Sequence, residues 1–159
     1  MHLTDLLSAE RVAIRHRSDD GPSFDKKAAI AELARLLTAT SGGLDCGDVE
    51  RVLLEREQLQ STGIGEGVAI PHGALTQLSG QVAALLIVPE GLDFAAIDER
   101  KVTLLFAVIG PKRATGEHLK TLARVSRLLR NESFRAKLVA SGSPDAAFAL
   151  ILAEEGESR

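Results

Sequence analysis

The sequence predicts an α/β protein in which helices cover a sheet of buried strands. Two runs, Val82–Val88 and Val102–Ile109, are apolar throughout and of strand length, the pattern of strands covered on both faces. Around them lie stretches with apolar residues at helical spacing, most of them beginning at residues able to cap a helix. The composition, 45% hydrophobic and 26% charged, is that of a chain able to bury a core rather than of a disordered one.

The elements follow in order. Val12, Ile14 and His16 alternate with Ala13, Arg15 and Arg17, a period of two and so a strand. Asp19–Asp20–Gly21–Pro22 reads as a turn, after which Ser23 or Asp25 caps a helix reaching about Ala39. Its apolar stripe is Ile30, Leu33, Ala34 and Leu37, and Ser41–Gly42–Gly43 ends it. Asp45 or Asp48 caps a second helix to about Leu59, with Val49, Val52 and Leu53 inward. A Gly-rich loop and a short strand, Val68–Ile70, come next. Pro89–Glu90–Gly91 separates the two apolar strands as a turn. A third helix begins after Thr115–Gly116, with Leu119, Leu122, Ser126 and Leu129 on one face. Asn131–Ala140 is a fourth, Ser143 caps a fifth to about Ala153, and residues 154–159 read as a polar, frayed tail. No linker or repeat interrupts residues 1–159, which are expected to form one domain of ordinary size.

Charge and composition exclude several classes. Nineteen basic and 22 acidic residues leave a net charge of -3, too acidic and too evenly mixed for a nucleic-acid or membrane-surface protein. Five Phe, with no Tyr or Trp, supply few stacking platforms for bases. A single cysteine, Cys46, forbids an internal disulfide and fits a reducing compartment. MHLTDLLSAER lacks a basic segment followed by an apolar one, and Val82–Val88 falls short of the about 18 residues that span a bilayer. A soluble cytoplasmic protein with no membrane insertion is expected.

STGIGEGVAIPHG, Ser61–Gly73, is the stretch most suggestive of chemistry. Four glycines surround one short apolar run that ends in Pro71–His72. His72 is either an ordinary loop histidine or a reactive group at a strand end. No HxxxH or HExxH spacing and no nearby cysteine point to a metal, so neither metal nor cofactor is expected. The GIGEG core follows a helix and precedes a strand, the reverse of dinucleotide-binding order, and lacks the GK[ST] of a P-loop. Arg56 falls on the inward face of its helix, three residues after Leu53. Its stem packs while its head reaches water or Glu57, or else its planar fork meets phosphoryl oxygens. His118 lies in the first turn of its helix, with Thr115 as the expected cap, where anions are favoured and a protonated imidazole is not. His2 and His16 carry no such pattern.

LLEREQLQSTGIGEGVAIPHG, LDFAAIDERKVTLLFAVIGP and EHLKTLARVSRLL together resemble, in order, phosphotransferase-system enzyme IIA domains of the fructose/mannitol class. The resemblance covers nearly the whole chain. It implies a mixed, largely parallel central sheet of about five strands with helices on both faces. It implies a phosphocarrier that takes a phosphoryl group from the phosphohistidine of an HPr-type protein and passes it to a IIB protein or acts on regulatory targets. By that resemblance His72 is the phosphorylated residue, His118 the supporting histidine and Arg56 the arginine beside the pocket. Ser61, Thr62, Gly63, Gly65, Gly67 and Gly73 then form the phosphoryl-binding loop, whose backbone N–H groups approach the oxygens as an anion nest does. A chain of this length without IIB or IIC parts is most similar to the stand-alone, nitrogen-regulatory branch. A sugar-pathway IIA and a binding module without turnover are the alternatives. Two positions depart from the family pattern: Glu66, where Asn is common, and Ala74, where Lys is common. Both make the loop more negative.

Overall fold

The computed structural model describes residues 2–16, 24–40, 43–94, 96 and 98–157. Six strands and five α-helices run in the order β1 (Val12–Ile14), α1 (Lys26–Thr38), α2 (Cys46–Leu59), β2 (Gly63–Gly65), β3 (Val68–Ala69), β4 (His72–Leu75), β5 (Val82–Leu92), β6 (Val102–Pro111), α3 (Thr115–Leu128), α4 (Glu132–Val139) and α5 (Pro144–Glu157). Two short 3-10 segments, Leu3–Asp5 and Ala9–Arg11, precede β1.

The sheet is ordered β1-β5-β6-β3-β2, and β4 also pairs with β6. β1 runs parallel to β5, and β3 and β4 run parallel to β6; β5 with β6 and β2 with β3 are antiparallel. The sheet is thus mixed and largely parallel, as expected, with β2 and β4 added to the strands that periodicity revealed.

Alternation along β5 and β6 explains why both runs are apolar throughout. Ala84, Leu86 and Val88 of β5 join Leu105, Ala107 and Ile109 of β6 in a core with α1 and α2. Ala83, Leu85 and Ile87 join Leu104, Phe106 and Val108 in a second core with residues of α3, α4 and α5. The register pairs Leu85 with Phe106 and Ile87 with Leu104, so each face is built from directly opposed residues. Ile30, Leu33, Ala34 and Leu37 of α1 are fully buried, as their spacing predicted.

Caps also follow the sequence. Asp25 accepts from the Ala28 amide at 2.9 Å, Asp45 from Asp48 at 3.1 Å, Asn131 from Phe134 at 3.0 Å and the Ser143 hydroxyl from Ala146 at 3.1 Å.

The differences have local causes. The Pro89–Glu90–Gly91 turn lies inside β5 as an irregularity: the register shifts between Ile87 and Leu92, and Gly91 takes a φ of +77°. α3 begins at Thr115 with Ala114 as its cap, because the Thr115 hydroxyl turns back to the Lys112 carbonyl. That helix buries Thr121, Val125 and the following Leu129 and leaves Leu119 62% exposed, a rotation of the expected apolar face. Inward positions on α2 are Val49, Leu53 and Glu57, so Arg56 is turned aside. α5 takes in residues 154–157 of the expected tail, and Glu155 is buried, accepting from the Leu3 and Thr4 amides at 2.7 and 3.0 Å. Cys46 opens α2 and is half-buried. The expected turn at 19–22, the Ser23 cap and the stop at 41–42 lie outside the described residues. No described helix is long and apolar enough to cross a membrane.

Candidate functional site

β6 is the rail on which the site is assembled. β3 lies along it until Ala69, and Pro71, which has no N–H to give the ladder, separates β3 from β4. The Pro71 carbonyl still accepts from the Val108 amide at 3.0 Å, and β4 resumes with His72 opposite Val108. His72 is therefore the first residue of a strand and half-buried. Its Nδ1 is 2.7 Å from the Ile70 carbonyl. A carbonyl only accepts, so Nδ1 carries the proton and Nε2 keeps its lone pair. This contact holds the ring from its own strand edge.

Gly73 is required by what lies above it. A Cβ there would stand 2.4 Å from Val52 Cγ1, so only glycine lets α2 settle on β4 next to His72. Gly65 and Gly67, at φ +100° and +81°, flank Glu66 at +57° in the tight hairpin between β2 and β3. These three glycines shape the loop, while Ser61, Thr62 and Gly63 reach the cleft beside His72.

That cleft, about 340 Å³, is also lined by Arg56, Ile70 and, from α3, Leu122 and Ser126. Arg56 donates from Nη1 to the Gln60 carbonyl at 2.8 Å, closing the end of α2 and holding its guanidinium at the cleft. Its expected partner, Glu57, is engaged elsewhere. The Glu57 carboxylate is 7% exposed, accepts the Thr62 amide at 3.1 Å and the Thr62 hydroxyl, and lies 2.6 Å from Lys26 Nζ. It anchors the start of the Gly-rich loop to α2. The Thr62, Gly63 and Glu66 amides are thereby not open to an anion: they donate to Glu57, to Ser61 Oγ at 3.1 Å and to Asp98 at 2.8 Å. Positive charge at the cleft comes from side chains instead.

His118 stands across from His72, the ring centroids 5.6 Å apart and tilted by 52°. It rests over Gly110 of β6, where a Cβ would stand 3.4 Å from His118 Nδ1 and 3.2 Å from Gln81 Cγ. Neither His118 Nδ1 nor Gln81 Oε1 has a hydrogen-bond partner among the described residues, and both atoms are buried. The His118 amide already donates to the Ala114 carbonyl at 3.1 Å, so its ring, not its backbone, is what this helix end offers.

Both histidines favour the neutral form. Burial lowers the pKa of His72 most and Arg56 lowers it further, against the Ile70 bond and Glu57, which raise it. Burial, then His72, lowers that of His118. An unprotonated, oriented imidazole beside a guanidinium and a second imidazole is an arrangement for nucleophilic attack on an anionic centre.

The sequence singled out His72, His118 and Arg56, which the fold brings near one another, and passed over the Glu57 and Ile70 contacts. Glu57 stood in plain view as the fourth residue after Leu53, a helical spacing that points inward. The Ile70 carbonyl carried no signal, since a backbone acceptor leaves no mark in the residue types. Glu66 is turned from the cleft: its Oε2 lies 3.0 Å from Arg135 Nη2 on α4. His16 sits against Glu90 at 2.8 Å, apart from the cleft. Among the described residues no cluster of three metal-ligating side chains occurs.

Comparison with known proteins gives a consistent picture. Residues 18–154 match the model of the phosphoenolpyruvate-dependent sugar phosphotransferase system EIIA 2 family. The chain is 36% identical over 153 residues to a nitrogen regulatory protein of Bradyrhizobium diazoefficiens, covering 95% of each. It is 36% identical over 123 residues to a fructose-specific EIIA component of Haloferax volcanii, covering 77% of this chain and 79% of that one. The crystal structure of nitrogen regulatory protein IIA-Ntr from Neisseria meningitidis superposes with a TM-score of 0.82 at 31% identity, over 94% of this chain and 98% of that one.

Proposed function

Because this chain belongs to the EIIA 2 family of the phosphoenolpyruvate-dependent sugar phosphotransferase system, we propose that it is a one-domain, cytoplasmic phosphocarrier of the nitrogen-regulatory kind, charged on His72. The observation that carries this reading is the Nδ1 contact to the Ile70 carbonyl, which leaves Nε2 as the nucleophile. Nε2 attacks the phosphorus of an HPr-type phosphohistidine donor. A new N–P bond forms as the donor's N–P bond breaks, and the donor nitrogen keeps that electron pair. The Nδ1 proton stays on His72, where the Ile70 carbonyl stabilises the positive ring.

Little covalent work is asked of the rest of the site; positioning and charge do most of it. Arg56 lines the cleft and offers its fork to the arriving oxygens. His118, neutral before transfer, meets a dianion afterwards, which favours its protonated form. Ser61, Thr62, Gly63, Gly65, Gly67 and Gly73 set the shape of the loop that admits the phosphoryl group. Glu66 bears on that group little, since Arg135 offsets its charge. The charged protein then acts on a regulatory target or hands the group to a IIB protein.

A second reading, a sugar-pathway IIA feeding a separate IIB, draws on the likeness to the Haloferax fructose-specific component. The test is phosphorylation by phosphoenolpyruvate, enzyme I and HPr, read by intact mass and acid lability. Wild type should take up one acid-labile phosphoryl group and His72→Ala none; equal labelling of both would remove the assignment. Onward transfer to a IIB protein would favour the sugar-pathway reading.

A further inference from the structure

Strand register brings a glutamine to His118. On β6, Val108 is paired with Ala83 of β5 on one side and with His72 of β4 on the other. Two residues further along β6, Gly110 is paired with Ala74 of β4. On the β5 side Val82 pairs with Ile109, so Gln81, just before β5, comes level with Gly110. Side chains two residues apart share a face of a sheet, and Ala83 and Val108 lie in the core under α3. Gln81 therefore points to the face that carries His118, one row along from His72.

Gly110 leaves the room in which the two side chains meet. A Cβ at that glycine would stand 3.2 Å from Gln81 Cγ and 3.4 Å from His118 Nδ1, so both converge on one point. Gln81 Oε1 and His118 Nδ1 are buried and lack a hydrogen-bond partner among the described residues. Buried polar atoms left unpaired destabilise a fold, and one bond between these side chains satisfies both. Nδ1 is the enclosed nitrogen of the His118 ring, which leaves Nε2 to meet an arriving group.

The direction of the bond follows from the anion that Nε2 must meet. A proton on Nδ1 of the neutral ring would present the Nε2 lone pair to phosphoryl oxygens, acceptor against acceptor. A proton on Nε2 gives those oxygens a donor and leaves Nδ1 to accept. A glutamine amide supplies either partner, since a half-turn exchanges its NH2 and its oxygen in nearly the same space. Lysine would only donate at this place, and a carboxylate would only accept.

We propose that Gln81 is the positioning residue of His118: its NH2 donates to Nδ1 of the neutral ring, and its Oε1 accepts from Nδ1–H once the ring is protonated. Only the effect on transfer rests on the phosphocarrier reading of His72; the contact is tested without it.

The full chain, labelled with 15N in histidine and glutamine, is studied by NMR at a pH where His118 is neutral. His118 should carry its proton on Nε2, with a coupling across the hydrogen bond between Gln81 Nε2 and His118 Nδ1. Gln81→Glu should move the proton to Nδ1 and keep His118 protonated to higher pH. Gln81→Met, of similar length without polar atoms, should slow transfer from a phosphorylated HPr-type donor about two- to tenfold, the cost of one hydrogen bond. The same substitution made in His118→Ala should change the rate less than about twofold, because the two residues act together. Circular dichroism checks that each variant is folded. A proton on Nδ1 of the neutral wild-type ring, a bare Nδ1 without the coupling, or equal slowing with and without His118 would overturn the role of Gln81. Unchanged transfer in Gln81→Met would do the same. No labelling of wild type by a charged donor would sink the phosphocarrier reading alone, and the position of the His118 proton would still decide the contact.

Discussion

As the proposed nucleophile, His72 serves only while its Nε2 lone pair is free, so its protonation would decide the working pH. Burial and Arg56 together outweigh the Ile70 bond and Glu57, and the pKa falls below the ordinary 6.5; burial and His72 do the same to His118. With native values lowered, the unfolded chain binds protons more readily than the native one as pH drops below 6.5. The stability contribution is full above that value and is lost as pH falls through the native values. Denaturation midpoints should therefore decline from about pH 7 to about pH 5, and decline less in His72→Ala/His118→Ala. Phosphoryl acceptance should persist below 6.5; an acid limb at or above it would contradict the neutral-imidazole account. Gly73 gives a second test. An added methyl meets Val52 Cγ1, a stiff β-branched neighbour, at 2.4 Å. Gly73→Ala should cost about 1–3 kcal/mol in urea denaturation, and adding Val52→Ala should recover part of it. Additive losses would mean the two positions do not meet.

Between elements, the decisive link is the end of α2 tied to the Gly-rich loop. Glu57 is buried at the last turn and engages the Thr62 amide, the Thr62 hydroxyl and Lys26. Glu57→Gln keeps one acceptor but turns an NH2 toward donors and leaves Lys26 without its ion pair. The variant should lose about 1–3 kcal/mol of stability. The His72 pKa should also fall further, because Glu57 raises it in the native protein. Histidine ring NMR and chemical denaturation read the two effects; an unmoved His72 titration would separate Glu57 from the site. The same dependence of one element on another explains Glu66. In a left-handed conformation that favours Asn or Gly, its side chain gains Arg135 on α4 as a partner.

Across the whole molecule, two cores share one sheet, and the chain ends are tied together on one face. Glu155 of α5 accepts the Leu3 and Thr4 amides and lies beside Arg124 of α3. Glu155→Ala would leave buried donors unsatisfied and should cost about 1–3 kcal/mol, with faster amide exchange at Leu3 and Thr4. A cost under about 0.5 kcal/mol would mean that water replaces the carboxylate.

Periodicity and capping alone determined the helices, the two buried strands and the α/β class, because those signals are local: Ile30, Leu33 and Leu37 fall on one face whatever surrounds them. The STGIG and PHG stretch, with Arg56 and His118, likewise singled out the residues proposed as the site, and the fold sets His118 across from His72 and Arg56 in the cleft beside it. Tertiary structure decided the rest. β2 and β4 are short, and only pairing with β3 and β6 makes strands of them. The Pro89–Gly91 stretch has turn residues but lies within β5, because a register shift in the ladder absorbs it. The Glu66 amide of the loop is spent on Asp98, which the residues before β6 bring to it. Gly73 owes its identity to Val52, and the burial of Glu155 to the first residues of the chain. Each of these depends on residues distant in sequence meeting in space, which a linear pattern does not encode.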